Sequence, residues 1–387
     1  MLLKTIQIYY SSEDLPASWD ELVLHDIFLQ SKYLNALEKG APENIELFYL
    51  GVFNDNILVG VALVQRVKLY LNDMFRKTQV SCVKEFFQKT VSKVLKGNIL
   101  VVGNLTHTGQ HALYFNENNI TDAEYFELVF KALKTLKNEI KKKQGKTIRM
   151  ILLKDFFTKN SKLKRIKQFE KLNLHKVSVQ PNMILDLQRD WMSIEDYVSD
   201  LKKKYRDRYK RSKKKLANIS SVELDMDAIS SNNTQLHKLY LNVCNNAKFN
   251  SFILPVNHFY TMKSCLGDAF KVFAYYFEGK LVGFYTLILN NKHLETYFLG
   301  YDSQHQYNNQ LYLNMLYDML KFGIDQQFSA IVYARTAMAI KSSVGAKPHT
   351  MEMYMKHTNG FLNTLLRPVF GLMNPKNDWE ERHPFKQ

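Results

Sequence analysis

The stretch "RTAMAIKSSVGAKPH" (335–349) holds Arg335, Thr336, Lys341, Ser342 and His349. A guanidinium and an ammonium so spaced can grip a carboxylate, a phosphate or a sulfonate. Arg335 and Thr336 read as the end of a strand, "AIVYART" (330–336), and Lys341 and Ser342 as part of a short helix after it. Polar groups at the C-terminal edge of a strand, beside a helix start, commonly line a site. An ordinary charged surface loop has the same composition. His305 and His349 are candidate general bases that could take a proton from an amine. A lone histidine is more often a surface or hydrogen-bonded structural residue.

A second stretch, "LKKKYRDRYKRSKKKL" (201–216), carries ten Lys or Arg and one acid, Asp207. It suits an anionic partner and does not say which one. The whole chain of 387 residues has a net charge of +16 and a pI near 9.4, which favours nucleic acid, phosphate-bearing cofactors or anionic lipid. With 46% hydrophobic residues, 25 Phe and 22 Tyr, it is not a disordered chain. Cys82, Cys244 and Cys265 show no metal-ligand spacing and no disulfide framework, so we expect no metal and a reducing compartment. The N-terminus lacks the apolar run of a signal peptide, and no window reads as a membrane span. The expected location is the cytoplasm, with peripheral attachment to the inner membrane face as an option. There is no Walker loop, dinucleotide glycine motif or Gly-x-Ser-x-Gly elbow, so kinase, dehydrogenase and serine hydrolase readings lose their usual support.

The elements that must position these residues come in two similar series. Residues 48–71 and 272–302 each begin with two alternating apolar runs, joined at Asn54-Asp55-Asn56 and at Glu278-Gly279-Lys280. Both read as hairpins, and both have Leu-Val-Gly after the turn (58–60 and 281–283). A strand (98–105), a helix (122–143) and a strand (147–156) follow the first. A strand (293–302), a helix (309–325) and a strand (330–336) follow the second. This predicts an α+β unit used twice, with domains over 1–160 and 161–387. Ser193 and Asp196 form a capping box that opens one amphipathic helix over 194–217. Its buried stripe is Ile194, Tyr197, Val198, Leu201, Tyr205, Tyr209 and Leu216, with the lysines outside. The segment 361–373 is also amphipathic; it reads as a helix packed on the core or, alternatively, one facing lipid.

This arrangement resembles the GNAT superfamily, and in particular its double-GNAT, Fem-like branch of peptidoglycan-biosynthesis and BioF2-like acyltransferases. Trp191 followed by the basic helix, the "ETYFLGYD" strand, the "YNNQLYLNML" helix start and the "RTAMAIKSSVGA" segment carry the resemblance over about 185–357. It implies a fold of two tandem GNAT-like domains and an N-acyltransferase. That enzyme would move an acyl group from acyl-CoA or acyl carrier protein to a primary amine, with a sphingoid-like lipid amine as one such acceptor and no bound cofactor. It also implies that donor phosphates sit at Ser303–Tyr312, at a helix N-terminus. Gln304, Tyr307, Asn308 and Asn309 are then donor-binding, together with Lys341 and Ser342. No glycine falls between Gly300 and Gly323, so the Gly-rich phosphate loop of ordinary acetyltransferases is missing. Glu295 stands where GNAT enzymes often place a catalytic carboxylate. With His305, Arg335 and His349 it completes the expected catalytic set, and Tyr297, Tyr301, Tyr312 and Thr336 are expected at the substrate. Glu295 should alternate with Tyr297 and Leu299 on one strand face. Two alternatives stand beside this reading. One is a Fem-type transferase that uses aminoacyl-tRNA and acts on a cell-wall precursor, although no long helical-hairpin insertion is visible. The other is a non-enzymatic nucleic-acid-binding protein, disfavoured because the tyrosines lie on the apolar stripe of the basic helix.

Overall fold

Asp55 and Asn56 have φ of 46° and 65°, and Glu278 and Gly279 have 48° and 73°. Positive φ at both central residues is what a two-residue hairpin turn of matching twist requires. In the computed structural model, which describes residues 3–69, 97–160, 163–216, 218–246, 250–365, 367–368 and 379–386, these turns join β2 (Ile45–Asn54) to β3 (Ile57–Leu69) and β9 (Phe270–Phe277) to β10 (Lys280–Asn290). In both hairpins the middle residue of Leu-Val-Gly is bulged. The register passes from Leu58 to Gly60 and from Leu281 to Gly283, leaving Val59 and Val282 extra.

The glycine after each bulge lets a helix come close. A Cβ on Gly60 would lie 2.8 Å from the Tyr125 ring, and one on Gly283 would lie 2.7 Å from Leu311 Cδ2. Tyr125 is in the first turn of α3 (Asp122–Gln144), and Leu311 opens α10 (Leu311–Asp325). The same device therefore seats the crossover helix in each copy.

Packing divides the chain into two units, 1–179 with 248–253 and 350–375, and 180–247 with 254–349 and 376–387. In the first unit the strand order is β1 (Lys4–Tyr9), β2, β3, β4 (Gly97–Val102), β6 (Ile148–Phe157) and β13 (Lys347–His357), with β5 (Leu113–Phe115) also on β3. Helix α3 begins with a Thr121/Glu124 capping box and ends at Gly145 in the left-handed region. Its Tyr125, Phe126, Val129, Leu133, Leu136 and Ile140 recur every three or four residues and are buried. Short helices α1 (Ser18–Leu22) and α2 (Ser31–Lys39) precede the hairpin. The unit extends past residue 160. Helix α4 (Leu163–Lys171) belongs to it through the Arg165–Asp122 ion pair (2.7 Å) and through Phe169, which packs on Phe126 and Phe156.

In the second unit the order is β7 (His175–Asp186), β12 (Ala330–Val332), β11 (His293–Tyr301), β10, β9 and β8 (Ile219–Glu223). Its helices are α5 (Ile194–Asp200), α6 (Lys203–Lys215), α7 (Met226–Asn246), α8 (His258–Leu266), α9 (Ser303–Asn308), α10 and α11 (Met338–Ser342). Helix α10 is buried on most sides, through Leu313, Met315, Leu316, Tyr317, Met319, Leu320 and Ile324. Each unit thus pairs a hairpin antiparallel to a third strand and that strand parallel to a fourth across a helix, as the sequence repeat predicts.

Helix α7 crosses β11 where a Cβ on Gly300 would lie 2.4 Å from the Leu239 and Tyr240 backbone. Backbone cannot give way as a side-chain tip can. Gly300→Ala should therefore cost about 2 kcal/mol or more and exceed Gly283→Ala, measured by urea unfolding. Equal costs would show that this crossing is looser than described.

Candidate active site

Strands β11 and β12 are parallel for three residue pairs, His293↔Ala330, Leu294↔Ile331 and Glu295↔Val332. The ladder then stops. Strand β11 runs on to Tyr301, held on its other side by β10 through Tyr285↔Leu299 and Gly283↔Tyr301. From Thr296 onward its β12 side carries no strand among the described residues. An extended ligand could hydrogen-bond to that open edge.

A bulge lies just past the split. Leu287 pairs with Thr296 and Tyr285 with Leu299, so Thr286 faces both Tyr297 and Phe298. The Thr286 hydroxyl fills the break: it donates to the Phe298 carbonyl (2.8 Å) and accepts from the Phe298 N–H (3.0 Å). The expected strict alternation of Glu295, Tyr297 and Leu299 is therefore corrected, because a bulge interrupts the period of two. Glu295 is buried at the foot of the split. Tyr297 is half-buried, and its hydroxyl lies 3.1 Å from Nε2 of the fully buried His258. Sequence reasoning missed His258. It opens α8 far along the chain from Tyr297, and no local pattern links them.

Beyond Val332 the chain turns through a strained loop. Ala334, Thr336 and Ala337 have φ of 58°, 66° and 47°, uncommon for residues with a Cβ. The strand expected to reach Thr336 ends at Val332, and Arg335 and Thr336 belong to this loop. Lys341, 4% exposed, clamps it. Its Nζ donates to the carbonyls of Ala334 (3.2 Å) and Arg335 (2.6 Å). Burial pulls the Lys341 pKa down to about 7 and that of Arg335 to about 10. Ser342 is buried and donates to the Ala339 carbonyl (3.1 Å). Lys341 and Ser342 thus serve the loop's own structure, and their sequence assignment to donor phosphates finds no direct geometric support. His349 lies on β13, half-buried.

The far end of β11 holds the remaining expected residues. At roughly 3.3 Å per residue, Tyr301 lies about 20 Å along the strand from Glu295. The Tyr301 and Tyr312 rings meet at 6.2 Å. Burial raises the pKa of both phenols. His305 Nδ1 lies 3.0 Å from Asn309 Oδ1, and its ring rests on Phe277 at 4.8 Å. Asn309 also donates to the Lys215 carbonyl (2.8 Å), which makes it a cap for α6. Gln304, Tyr307 and Asn308 are exposed on α9. At the start of α10 the Tyr312 N–H is taken by the Gln306 side chain (2.8 Å). The structure therefore gathers Glu295 and Tyr297 at one end of β11, His305, Asn309, Tyr301 and Tyr312 at the other, and Arg335, Thr336 and Lys341 on the loop after β12.

The basic segment is two helices, where the sequence predicts one. Leu201 and Lys202 are extended (ψ 146° and 150°), and the chain's last residues pair there. The Lys202 N–H donates to the Pro384 carbonyl (2.8 Å), and the Lys386 N–H to the Asp200 carbonyl (3.0 Å). The Ser193/Asp196 capping box is present, and Tyr205 is buried as expected. Helix α6 is tied to α10 by the Lys213–Asp318 ion pair and by the Asn314 amide on the Ser212 carbonyl (3.0 Å). Lys202, Lys203, Lys204, Lys210, Arg211, Lys214 and Lys215 remain exposed. Residues 366 and 369–373 of the amphipathic segment 361–373 lie outside the described residues. Its start, α12 (Gly360–Leu365), exposes Phe361, Leu362 and Leu365 and buries Asn363, contrary to a core-packed helix. Asn363 is drawn inward because it accepts from the His357 N–H (2.8 Å) and donates to the Asn173 carbonyl (2.9 Å). Among the described residues, no helix is long and apolar enough to cross a membrane.

No protein-family model and no curated protein matches the sequence. Solved structures do. FemX is similar over 94% of this chain and 100% of its own, with 10% identity and a TM-score of 0.56. A tandem GNAT protein from the clavulanic acid biosynthesis pathway is similar over 93% of this chain and 99% of its own, with 11% identity and a TM-score of 0.53. At such identities the likeness is one of fold. The chain has a mixed α/β architecture of the tandem-GNAT, Fem-like type.

The buried Lys341 gives a test in the free protein. Burial holds its folded-state pKa at about 7 against the ordinary 10.5 of a lysine, so the unfolded chain binds more protons between those pH values. Stability should therefore rise with pH across that window, by about 1.4 kcal/mol per pH unit from this group. Wild type should gain on Lys341→Met accordingly in urea unfolding from pH 7 to 10. Parallel pH dependences would place Lys341 in water.

Proposed function

We propose that the second unit is an N-acyltransferase that moves an acyl group from acyl-CoA or an acyl carrier protein to a primary amine in the split between β11 and β12. The observation that carries the reading is the end of the parallel ladder at Glu295↔Val332, beside a bulged β11. The open edge from Thr296 suits an extended acyl-bearing arm. The roughly 20 Å from Glu295 to Tyr301 gives that arm room to lie along the strand. Its anionic end would reach toward α10 and the cations of α6.

The chemistry asked of the protein is modest. The amine attacks the carbonyl carbon directly, the C–N bond forms, and the carrier's thiolate leaves. One amine proton must go to a base, and the pair Tyr297–His258 and the carboxylate of Glu295 stand nearest the split. Arg335, on its strained loop, would position the donor or polarise the carbonyl. A sphingoid-like amine is the acceptor we favour, supported by the exposed Phe361, Leu362 and Leu365 on the first unit. The exposed cations of α6 also favour a second reading, transfer from aminoacyl-tRNA, because they form no ion pairs among the described residues and suit a polyphosphate backbone.

Purified protein should be offered acyl-CoA, acyl carrier protein and charged tRNA with a panel of amines, and the products read by mass spectrometry. The expected product is an amide from the CoA or carrier-protein donor. Arg335→Ala should reduce its rate by ~10²-fold with the fold intact. Replacing Lys202, Lys203, Arg206 and Lys210 by Gln should raise donor KM in a salt-sensitive way. Amide formed only from charged tRNA would move the assignment to the second reading. Full activity of Arg335→Ala would remove that residue from the site.

A further inference from the structure

Helix α12 is anchored by its polar side and turns its apolar side outward. Asn359 caps it, with Oδ1 accepting from the Leu362 N–H (3.0 Å). Asn363 faces inward, held by the His357 N–H, by the Asn173 carbonyl and, at its own carbonyl, by His175 Nε2 (3.1 Å). At about 100° per residue, Phe361 and Leu365 stand on the face opposite Asn363, with Leu362 on the flank. Phe361 is 78% exposed and Leu365 is 61% exposed. Single apolar side chains in water are ordinary on a protein surface. These share one short helix whose orientation is fixed by hydrogen bonds, so the apolar face is presented ready-made.

The ground around α12 is basic. The Thr358 N–H donates to the Arg149 carbonyl and its hydroxyl to the Ile148 carbonyl (both 2.8 Å), so the helix begins beside the start of β6. Residues 141–149, spanning the end of α3 and the start of β6, read "KKKQGKTIR", with five cations and no acid. Lys141, Lys142 and Arg149 are exposed, and Lys143 pairs with Glu139 (3.2 Å). On the other side, the Asn173 that holds Asn363 follows α4, which ends at the exposed Lys171. Glu170, also exposed, offsets Lys171 in part, and Glu352 on β13 is taken by Lys176 (2.5 Å). Cations beside an apolar projection match a bilayer with anionic headgroups: the cations meet the phosphates while the apolar tips pass between them. A nucleic acid would use the cations and leave Phe361 and Leu365 in water.

We infer that α12 and the adjoining basic turn between α3 and β6 form a docking surface for an anionic phospholipid bilayer. Phe361 and Leu365 would enter the boundary between headgroups and acyl chains, and Lys141, Lys142 and Arg149 would lie against the phosphates. The surface is argued apart from acyl transfer; only its link to a lipid amine as acceptor rests on the proposed function.

The test sediments the full-length protein with vesicles, either of phosphatidylcholine alone or of phosphatidylcholine and phosphatidylglycerol in equal parts. Binding to the anionic vesicles is expected, falling as salt rises, with weak binding to phosphatidylcholine. Phe361→Ser with Leu365→Ser should lower the partition by roughly tenfold or more. Lys142→Gln with Arg149→Gln should lower it at low salt and change it little at high salt. All four positions are exposed, and the unfolding midpoint of each variant reports that it folds. No binding to either vesicle would overturn the surface. So would binding that is lost with the α6 cations and unchanged by the serine pair. A dimer that the serine pair dissociates, in a protein that ignores vesicles, would also overturn it and give the face to a second copy. Acyl transfer to a soluble amine without vesicle binding would sink this inference and leave the proposed function standing.

Discussion

Three parallel residue pairs set the backbone geometry on which the site proposed in the second unit depends. While β11 and β12 stay paired, from His293 to Glu295, their backbone groups satisfy each other. Beyond that point β11 pairs with β10, and no strand among the described residues pairs with its other edge. The neighbouring features keep the edge open. Thr286 spends its hydroxyl on the Phe298 backbone, so the bulge is stable without a further strand. The loop after Val332 takes up unfavourable φ values to turn away, and Lys341 holds it there through two carbonyls. Strain of this kind persists only where surrounding structure fixes it, and it concentrates at working sites.

The first unit repeats the architecture and closes the corresponding place. Its hairpin has the same bulged Leu-Val-Gly, and its crossover helix is seated on Gly60 as α10 is on Gly283. But β4 and β6 pair as far as Val102↔Leu153, and the following loop is tied across β6. Lys154 donates to the His107 carbonyl (2.7 Å), and the Gly109 N–H to Asp155 (3.1 Å). Asn104 bonds Tyr33 and Thr106, and Gln65 accepts from the Leu105 N–H. The same scaffold is therefore tied across in one copy, and among the described residues the corresponding strands part in the other, which is why we propose the second as the place of transfer.

Much of this was legible in the chain. Asp55-Asn56 and Glu278-Gly279 announce their turns because few residues tolerate positive φ. Thr121 with Glu124 and Ser193 with Asp196 announce helix starts because capping is local chemistry. Features that depend on distant partners were hidden. The break at Leu201–Lys202 leaves the apolar spacing from Tyr197 through Leu201 to Tyr205 intact, so periodicity runs straight through it. It is made by Pro384 and Lys386, far away in sequence. The pairing of His258 with Tyr297 and the use of Asn309 as a helix cap are likewise tertiary facts. The candidate residues clustered in sequence, yet the length of β11 separates Glu295 from Tyr301 and its neighbours.

Amide hydrogen exchange with and without a saturating acyl donor, resolved along both units, addresses the central claim most directly. If the donor's arm completes the open edge of β11, amides between Thr296 and Tyr301 and in the loop from Tyr333 to Ala337 should slow markedly. Those of β4 and the loop from Gly103 to Ala112 should not change. Protection confined to the first unit, or none along β11, would contradict the placement of the reaction in this split.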